Sequence, residues 1–350
     1  MDYLQQAMAQ KATDLHIESG GNVMLRIRGQ LTQIGKSSEQ EFQALEDQLL
    51  IHFINDTSIV SKGCGRVKDF SCTISGIGRL RVRRYRSQGR RCLAIRFLPD
   101  KIPTPEALHW PLVMRSFSSI YQGLVLITGA SGSGKSTTLA AIIELINRQR
   151  ACHIVTLESP IEYIFQNAQA LVHQCAIPED ISSFSEGAKD ALRMDADVIM
   201  IGELSDLETM RAALKLVESG HLVLATMHTG SAAEAVGYFV NHFPSAEHTL
   251  VCHQLSMMLQ AVVSQRLLPH RTLEQLVPAY EILLHNSAVA RQIRDGDFSQ
   301  LTASMELGRH EGMMLLEENL AELIQCKTIT FQDALLVANS PDRLRRLCGQ

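Results

Sequence analysis

The chain has 350 residues, 45% hydrophobic and 20% charged, the balance of a soluble globular protein with room for two domains. Its formal net charge of −4 argues against a global pull on DNA, RNA or anionic lipid and leaves only local basic patches for such partners. The start, Met1-Asp-Tyr-Leu-Gln-Gln6, has no basic segment leading into an apolar run, and runs such as Leu222–Ala225 fall far short of the ~20 residues of a membrane span. The expected setting is the cytosol, with no direct membrane insertion. Eight cysteines are scattered without a C-x-x-C pair, which disfavours structural zinc and disulfides and reads as small core hydrophobes.

In chain order, residues 2–12 predict a helix, and Asp14–Ile17 and Val23–Arg28 predict strands, the second ending at Gly29. Apolar positions at Phe42, Leu45, Leu49, Leu50 and Phe53 give residues 39–54 a helical period. Arg79–Arg83 and Cys92–Arg96 read as strands around a turn at Ser87-Gln-Gly89. These elements make a small α+β domain over residues 1–98. Pro99, Pro103 and Pro105 then mark a linker over 99–106, since neither helix nor central strand tolerates that density of proline. From 107 to 350 apolar strands alternate with helical stretches, the pattern of a parallel sheet covered on both faces. The strands expected there are Leu124–Thr128, His153–Leu157, Val198–Ile201 and Leu222–Thr226, and the last hundred residues read mostly helical.

The first of those strands runs into Gly129, Ala130, Ser131, Gly132, Ser133, Gly134, Lys135 and Ser136, followed by Thr137 and an apolar helix. G-x-x-x-x-G-K-[ST] between strand and helix is a phosphate-binding loop. Its glycines let backbone N–H groups face phosphate oxygens, the lysine reaches the β- and γ-phosphates of ATP, and the Ser136 hydroxyl suits Mg²⁺. Average composition would produce this pattern in about one chain of this length in a hundred.

In a parallel sheet, ligands bind beyond the carboxyl ends of the strands. Here the second strand ends in Glu158, the third in Gly202-Glu203 and the fourth in Met227-His228-Thr229. Any one of these could be incidental; four strands ending in useful chemistry on one edge point to a site. Glu203, at the end of Asp197-Val-Ile-Met-Ile-Gly-Glu203, is assigned to orienting the attacking water. Glu158 is a candidate to hold Mg²⁺ through water. His228 is placed to contact the γ-phosphate or the water. His221 stands seven residues earlier, so a metal site shared with His228 is not expected from the alternation of a strand.

Between 79 and 96 lie eight arginines: 79, 81, 83, 84, 86, 90, 91 and 96. They admit three readings. One is a solvated strand face, for which Arg84 and Arg91 would serve as examples. A second is a nucleic-acid groove, short of aromatics because only Tyr85 and Phe97 are on offer. The third is that one or two act as arginine fingers on the γ-phosphate.

The segments Thr13–Ile17, Leu25–Gly29, Gln122–Ala141, Thr156–Tyr163, Asp197–Thr209, Glu218–Thr229 and Gln265-Arg-Leu-Leu268 together resemble the type II/IV secretion ATPase superfamily. Within it the chain is similar to the PilT-type retraction ATPases of type IV pili. The resemblance implies an α/β protein with a PAS-like N-terminal domain and a RecA-like ATPase domain with a helical C-terminal part. It implies a homohexameric ring with ATP between the two kinds of domain and Glu158, Glu203, His221 and His228 as site residues. Arg81 and Arg96 match the family's nucleotide-reaching arginines. It further implies an inner-membrane platform partner, a second motor ATPase as a further partner, and a cytoplasmic place at the inner face of the inner membrane. Three positions depart from the family pattern: Ser159 in the E-D-P motif, Ser205 after the Walker B acid, and Ala290 in Ala288-Val-Ala-Arg-Gln-Ile-Arg-Asp295. The short N-terminal region and the lack of paired cysteines favour retraction. A Dot/Icm-type or pilus-assembly secretion ATPase, a RecA-type nucleic-acid translocase and a non-hydrolysing adaptor are the alternatives.

Overall fold

The computed structural model describes residues 3–27, 29–57, 69–99, 101–273 and 275–349, without the side chains of 54–57. Asp2, Arg28, Cys64 and Asp100, each touched by a reading above, lie outside the described residues. The chain forms two compact units, Met1–Lys101 with Pro160–Ile164, and Ile102–Ser159 with Phe165–Gln350. The short segment after Glu158 and Ser159 thus groups with the first unit.

In the first unit, β1 (Asp14–Glu18), β2 (Asn22–Ile27), β3 (Gln30–Lys36), β4 (Asp69–Ile74), β5 (Gly78–Ser87) and β6 (Arg90–Phe97) form an antiparallel sheet in the order β3-β2-β1-β6-β5-β4. Alternate residues Leu15, Ile17, Leu80, Val82, Leu93 and Ile95 are buried with Leu4 of the helix Tyr3–Ala9 and Phe42 and Leu49 of the helix Glu39–Thr57. Edge strand β3 buries no side chain, which is why no apolar run announced it.

The same alternation sorts the arginines. Arg84 continues the buried row Leu80–Val82, and Arg91 the row Leu93–Ile95, so both turn toward the helix Glu39–Thr57. There they share one buried carboxylate: Arg84 Nε lies 2.9 Å from Glu46 Oε1, and Arg91 Nη1 lies 3.0 Å from Glu46 Oε2. This corrects the solvated-face reading for these two residues. Arg83 and Arg90 pair with Asp69 and Glu18 and are mostly exposed. On the opposite face, strand register sets Arg81, Arg96, Asp14 and Arg26 side by side across β5, β6, β1 and β2. Asp14 accepts from Arg96 Nε at 2.8 Å and lies 3.9 Å from Arg26, while Arg81 has Glu162 at 3.8 Å.

In the second unit, β7 (Gly123–Thr128), β8 (His153–Glu158), β9 (Leu171–Ala176), β10 (Val198–Ile201), β11 (Leu222–Met227), β12 (Leu259–Pro269) and β13 (Leu276–Leu284) form one sheet in the order β13-β12-β7-β11-β10-β8-β9. All neighbours are parallel except β13, which returns antiparallel to β12. Leu124, Leu126, Val155, Ile199 and Val223 pack with Met210 and Leu216 of the helix Leu207–Glu218 and Phe239 of the helix Ala232–Asn241. Those helices are started by Asp206, which accepts from Thr209 N, and Ser231, which accepts from Glu234 N. The expectation of a mostly helical last hundred residues missed the β12–β13 hairpin. Both strands are buried on two faces, so their apolar runs carry no period-2 signal. Leu268, Val277 and Ala279 of the hairpin pack with Leu316, Leu320 and Leu344 of the C-terminal helices.

Candidate nucleotide site

Strand β7 is buried along its whole length and delivers the chain to the loop at Thr128. Gly129 takes φ 144°, and a Cβ there would stand 2.5 Å from both the Gln265 carbonyl oxygen and Ser133 Oγ. Gly134 takes φ 89°, and its Cβ would meet Gln265 Nε2 at 2.7 Å. Both the backbone angle and the close approach therefore require glycine at these two motif positions. Gly134 also caps the helix Lys135–Gln149 without a side-chain hydrogen bond, so the first-turn N–H groups are left facing the loop.

Lys135 is buried and donates from Nζ to the carbonyls of Gly129 at 2.8 Å and Ala130 at 3.0 Å. Its Nζ also lies 3.3 Å from His228 Nδ1, and His228 Nε2 lies 3.5 Å from Glu203 Oε1. The ring turns Nδ1 to the lysine and Nε2 to the carboxylate. The structure thus brings Lys135, His228 and Glu203 into one row at the carboxyl ends of β7, β11 and β10. Glu203 reaches it because Gly202 N bonds Leu157 O, Gly202 O accepts from Thr226 Oγ1, and Leu204 N bonds Thr226 O.

Glu158, buried at the end of β8, accepts on one oxygen from Thr156 Oγ1 at 2.7 Å and from Gln174 Nε2 at 3.0 Å. Gln174, on β9, escaped the sequence reading because a lone glutamine on an unrecognised strand carries no signal. His221 sits at the amino end of β11, with Nδ1 on Leu216 O at 2.9 Å, a full strand of about 20 Å from His228. It does not join the row.

The loop fits a polyphosphate substrate. Thr128 Oγ1, Ser133 Oγ and Thr229 Oγ1 are buried around it with no hydrogen-bond partner among the described residues, and Ser136 is exposed at the helix start. Among the described residues no group of three or more His, Cys, Asp or Glu side chains is arranged to hold a metal. The Mg²⁺ of a phosphate loop asks for less, a hydroxyl and substrate phosphates with the rest supplied by water.

Behind this site, Glu281 of β13 is buried beside Glu317 and accepts from Ala232 N at 2.6 Å and Asn339 Nδ2 at 2.8 Å. Burial, aided by the Glu317 charge and opposed by these hydrogen bonds and Arg266, pushes its carboxyl up from 4.5 to about 7. The folded chain then holds a proton that the unfolded chain releases near 4.5, so stability falls as pH rises toward 7. Glu281→Gln does not titrate. Its stability relative to wild type should climb between pH 5 and pH 8 by on the order of 2–3 kcal/mol. Thermal unfolding across that range measures it, and a flat difference would contradict the assignment.

A profile of the family described as "Type II/IV secretion system protein" matches residues 1–328. The chain belongs to the type II/IV secretion system protein family. Among relatives in this family, the type IV pilus retraction ATPase PilT of Pseudomonas aeruginosa is 35% identical over 333 residues, covering 95% of this chain and 96% of that protein. The type IV pilus ATPase PilU of the same organism is 33% identical over 333 residues, covering 95% and 87%. The crystal structure of the pilus retraction motor PilT with bound ADP superposes with a TM-score of 0.87 at 33% identity, covering 99% of this chain and 98% of that one. No helix among the described residues is long and apolar enough to cross a membrane.

Proposed function

We propose that this chain works as a Mg²⁺-dependent, ring-shaped homohexamer at the cytoplasmic face of the inner membrane, turning a platform protein to withdraw pilin from a filament. The observation that carries the ATPase reading is the row Lys135, His228 and Glu203 at the mouth of a phosphate loop, and the likeness to the retraction ATPase PilT supports the pilus-retraction kind. Lys135 exchanges its bonds to the Gly129 and Ala130 carbonyls for the β- and γ-phosphates of ATP. Glu203 holds the attacking water and takes its proton. His228, touching both, registers whether the γ-phosphate is present. Ser136 and, through water, Glu158 are the residues that would hold Mg²⁺, which neutralises phosphate charge when bound. Strand topology and the relatives' likeness support a PAS-like first domain and a RecA-like second. A second motor ATPase is a further proposed partner, in keeping with the likeness to both PilT and PilU.

Arg81 and Arg96 fit the arginine-finger role. They stand side by side on an outer strand face with Arg26, where Asp14 serves Arg96 and Arg26 and Glu162 lies 3.8 Å from Arg81, which leaves positive charge in excess. Arg81→Ala and Arg96→Ala should each lower kcat by roughly a hundredfold or more while ATP affinity changes little, because a finger acts mainly in the transition state. Arg83→Ala and Arg90→Ala are the controls. Arg84 and Arg91 cannot serve, since removing either uncovers the buried Glu46. Equal, small losses at all four sites would overturn the finger assignment.

A further inference from the structure

The motif Gln265-Arg-Leu-Leu268 has no role in the scheme above, yet it lies on β12 directly beside the phosphate loop. The ladder between β12 and β7 ends at Ser264 opposite Thr128, one residue before Gly129. From there, successive side chains of β12 point to opposite faces of the sheet. On one face Gln265 is buried. Its Oε1 accepts from Thr138 Oγ1 at 2.7 Å in the first turns of the phosphate-loop helix. Its Nε2 and its backbone oxygen close off the space beside Gly134 and Gly129.

On the other face, Ser264 Oγ and Arg266 Nη2 both donate to the carbonyl of Gly230, two residues after His228. Ser264 pairs in register with Glu281 on β13, and Glu281 accepts from Ala232 N. The backbone from Gly230 to Ala232 is thus gripped at its carbonyl and at its amide by three side chains of one hairpin face. A carbonyl serving two donors and a buried amide serving a carboxylate are bonds that are costly to leave unmade.

We propose that the β12–β13 hairpin is a two-sided brace in which Gln265 positions the phosphate loop while Ser264, Arg266 and Glu281 position the His228 loop. None of the four touches substrate in this scheme, so they are positioning residues. The two grips sit on adjacent residues of one strand but on its opposite faces, so each loop is held by its own side chains. The inference rests on the ATPase reading for its readout.

The test uses the purified full chain and measures kcat and ATP affinity separately, with thermal unfolding to check folding. Arg266→Ala should lower kcat by roughly ten- to a hundredfold with ATP affinity nearly unchanged, because it misaims His228 and leaves the phosphate cradle intact. Arg266→Lys, which keeps one donor, should recover much of that loss. Gln265→Ala should do the reverse and weaken ATP binding by roughly tenfold or more. Should Arg266→Ala fail to fold, Ser264→Ala removes the second donor to the same carbonyl and should shift kcat in the same direction. Unchanged kcat in the folded Arg266 or Ser264 variant would overturn the brace, as would equal losses of kcat and affinity at Gln265 and Arg266. A wild-type chain without turnover would count against the ATPase reading instead, and the brace would then stand or fall on the ATP affinity of Gln265→Ala.

Discussion

Lys135→Ala should remove ATP turnover, by at least about a hundredfold. The expectation follows from where the ammonium sits. Its Nζ donates to two loop carbonyls beside the Nδ1 of His228, so the ammonium is kept at the loop and is aimed once it exchanges those carbonyls for phosphate oxygens. A preorganised charge in a partly dry site stabilises the transferring phosphoryl group without reorganising at the moment of reaction. The substitution also disconnects His228 from the loop, so the proposed sensor and the proposed phosphate clamp should be lost together. The fold should survive, because the turns at Gly129 and Gly134 are set by their backbone angles and by the close packing of Gln265, and what the variant takes from the loop is the lysine's donation to the Gly129 and Ala130 carbonyls. Phosphate release by the purified variant measures the effect, and undiminished release would remove the nucleotide-site assignment.

Glu203→Gln should separate binding from hydrolysis. The amide keeps the size and the neighbourhood of His228 but can neither take a proton nor polarise water as strongly. Turnover should fall by roughly 10²–10⁴-fold while ATP stays bound. Glu158→Gln should be milder. One Glu158 oxygen already accepts from Thr156 and Gln174, and the glutamine oxygen can keep both bonds. Equilibrium binding of ATP alongside single-turnover hydrolysis compares the two variants. If Glu158→Gln is dead while Glu203→Gln turns over near wild type, the two carboxylates have exchanged roles.

The parts that sequence reasoning reached share one physical feature. Strands β7, β8, β10 and β11 are buried on both faces, so each stands out as a short apolar run, and each ends where the chemistry begins. Lys135, Glu203 and His228 were legible because the parallel topology fixes which strand ends meet. The hairpin β12–β13 shares the same apolar character, but nothing at its ends flagged it, and an apolar run alone does not separate strand from buried helix. Gln265 was visible only as part of a motif, since its work depends on which loop lies beside it. The arginine cluster misled for a related reason. Alternation along β5 and β6 puts Arg84 and Arg91 on the core face, but their partner Glu46 comes from a helix more than thirty residues away in sequence. Long-range partners of a charge are set by packing, which no local pattern encodes.

The central claim concerns the direction of work, and filament dynamics in living cells test it most directly. Cells lacking this gene, and cells in which Lys135→Ala replaces the wild-type chain, should carry normal or excess surface filaments that extend but do not shorten. Restoring the wild-type chain should restore shortening. Bald deletion cells with pilin retained in the inner membrane would contradict the account and mark an assembly motor. Normal, shortening filaments with a lost secretion phenotype would contradict it in favour of a Dot/Icm-type secretion ATPase.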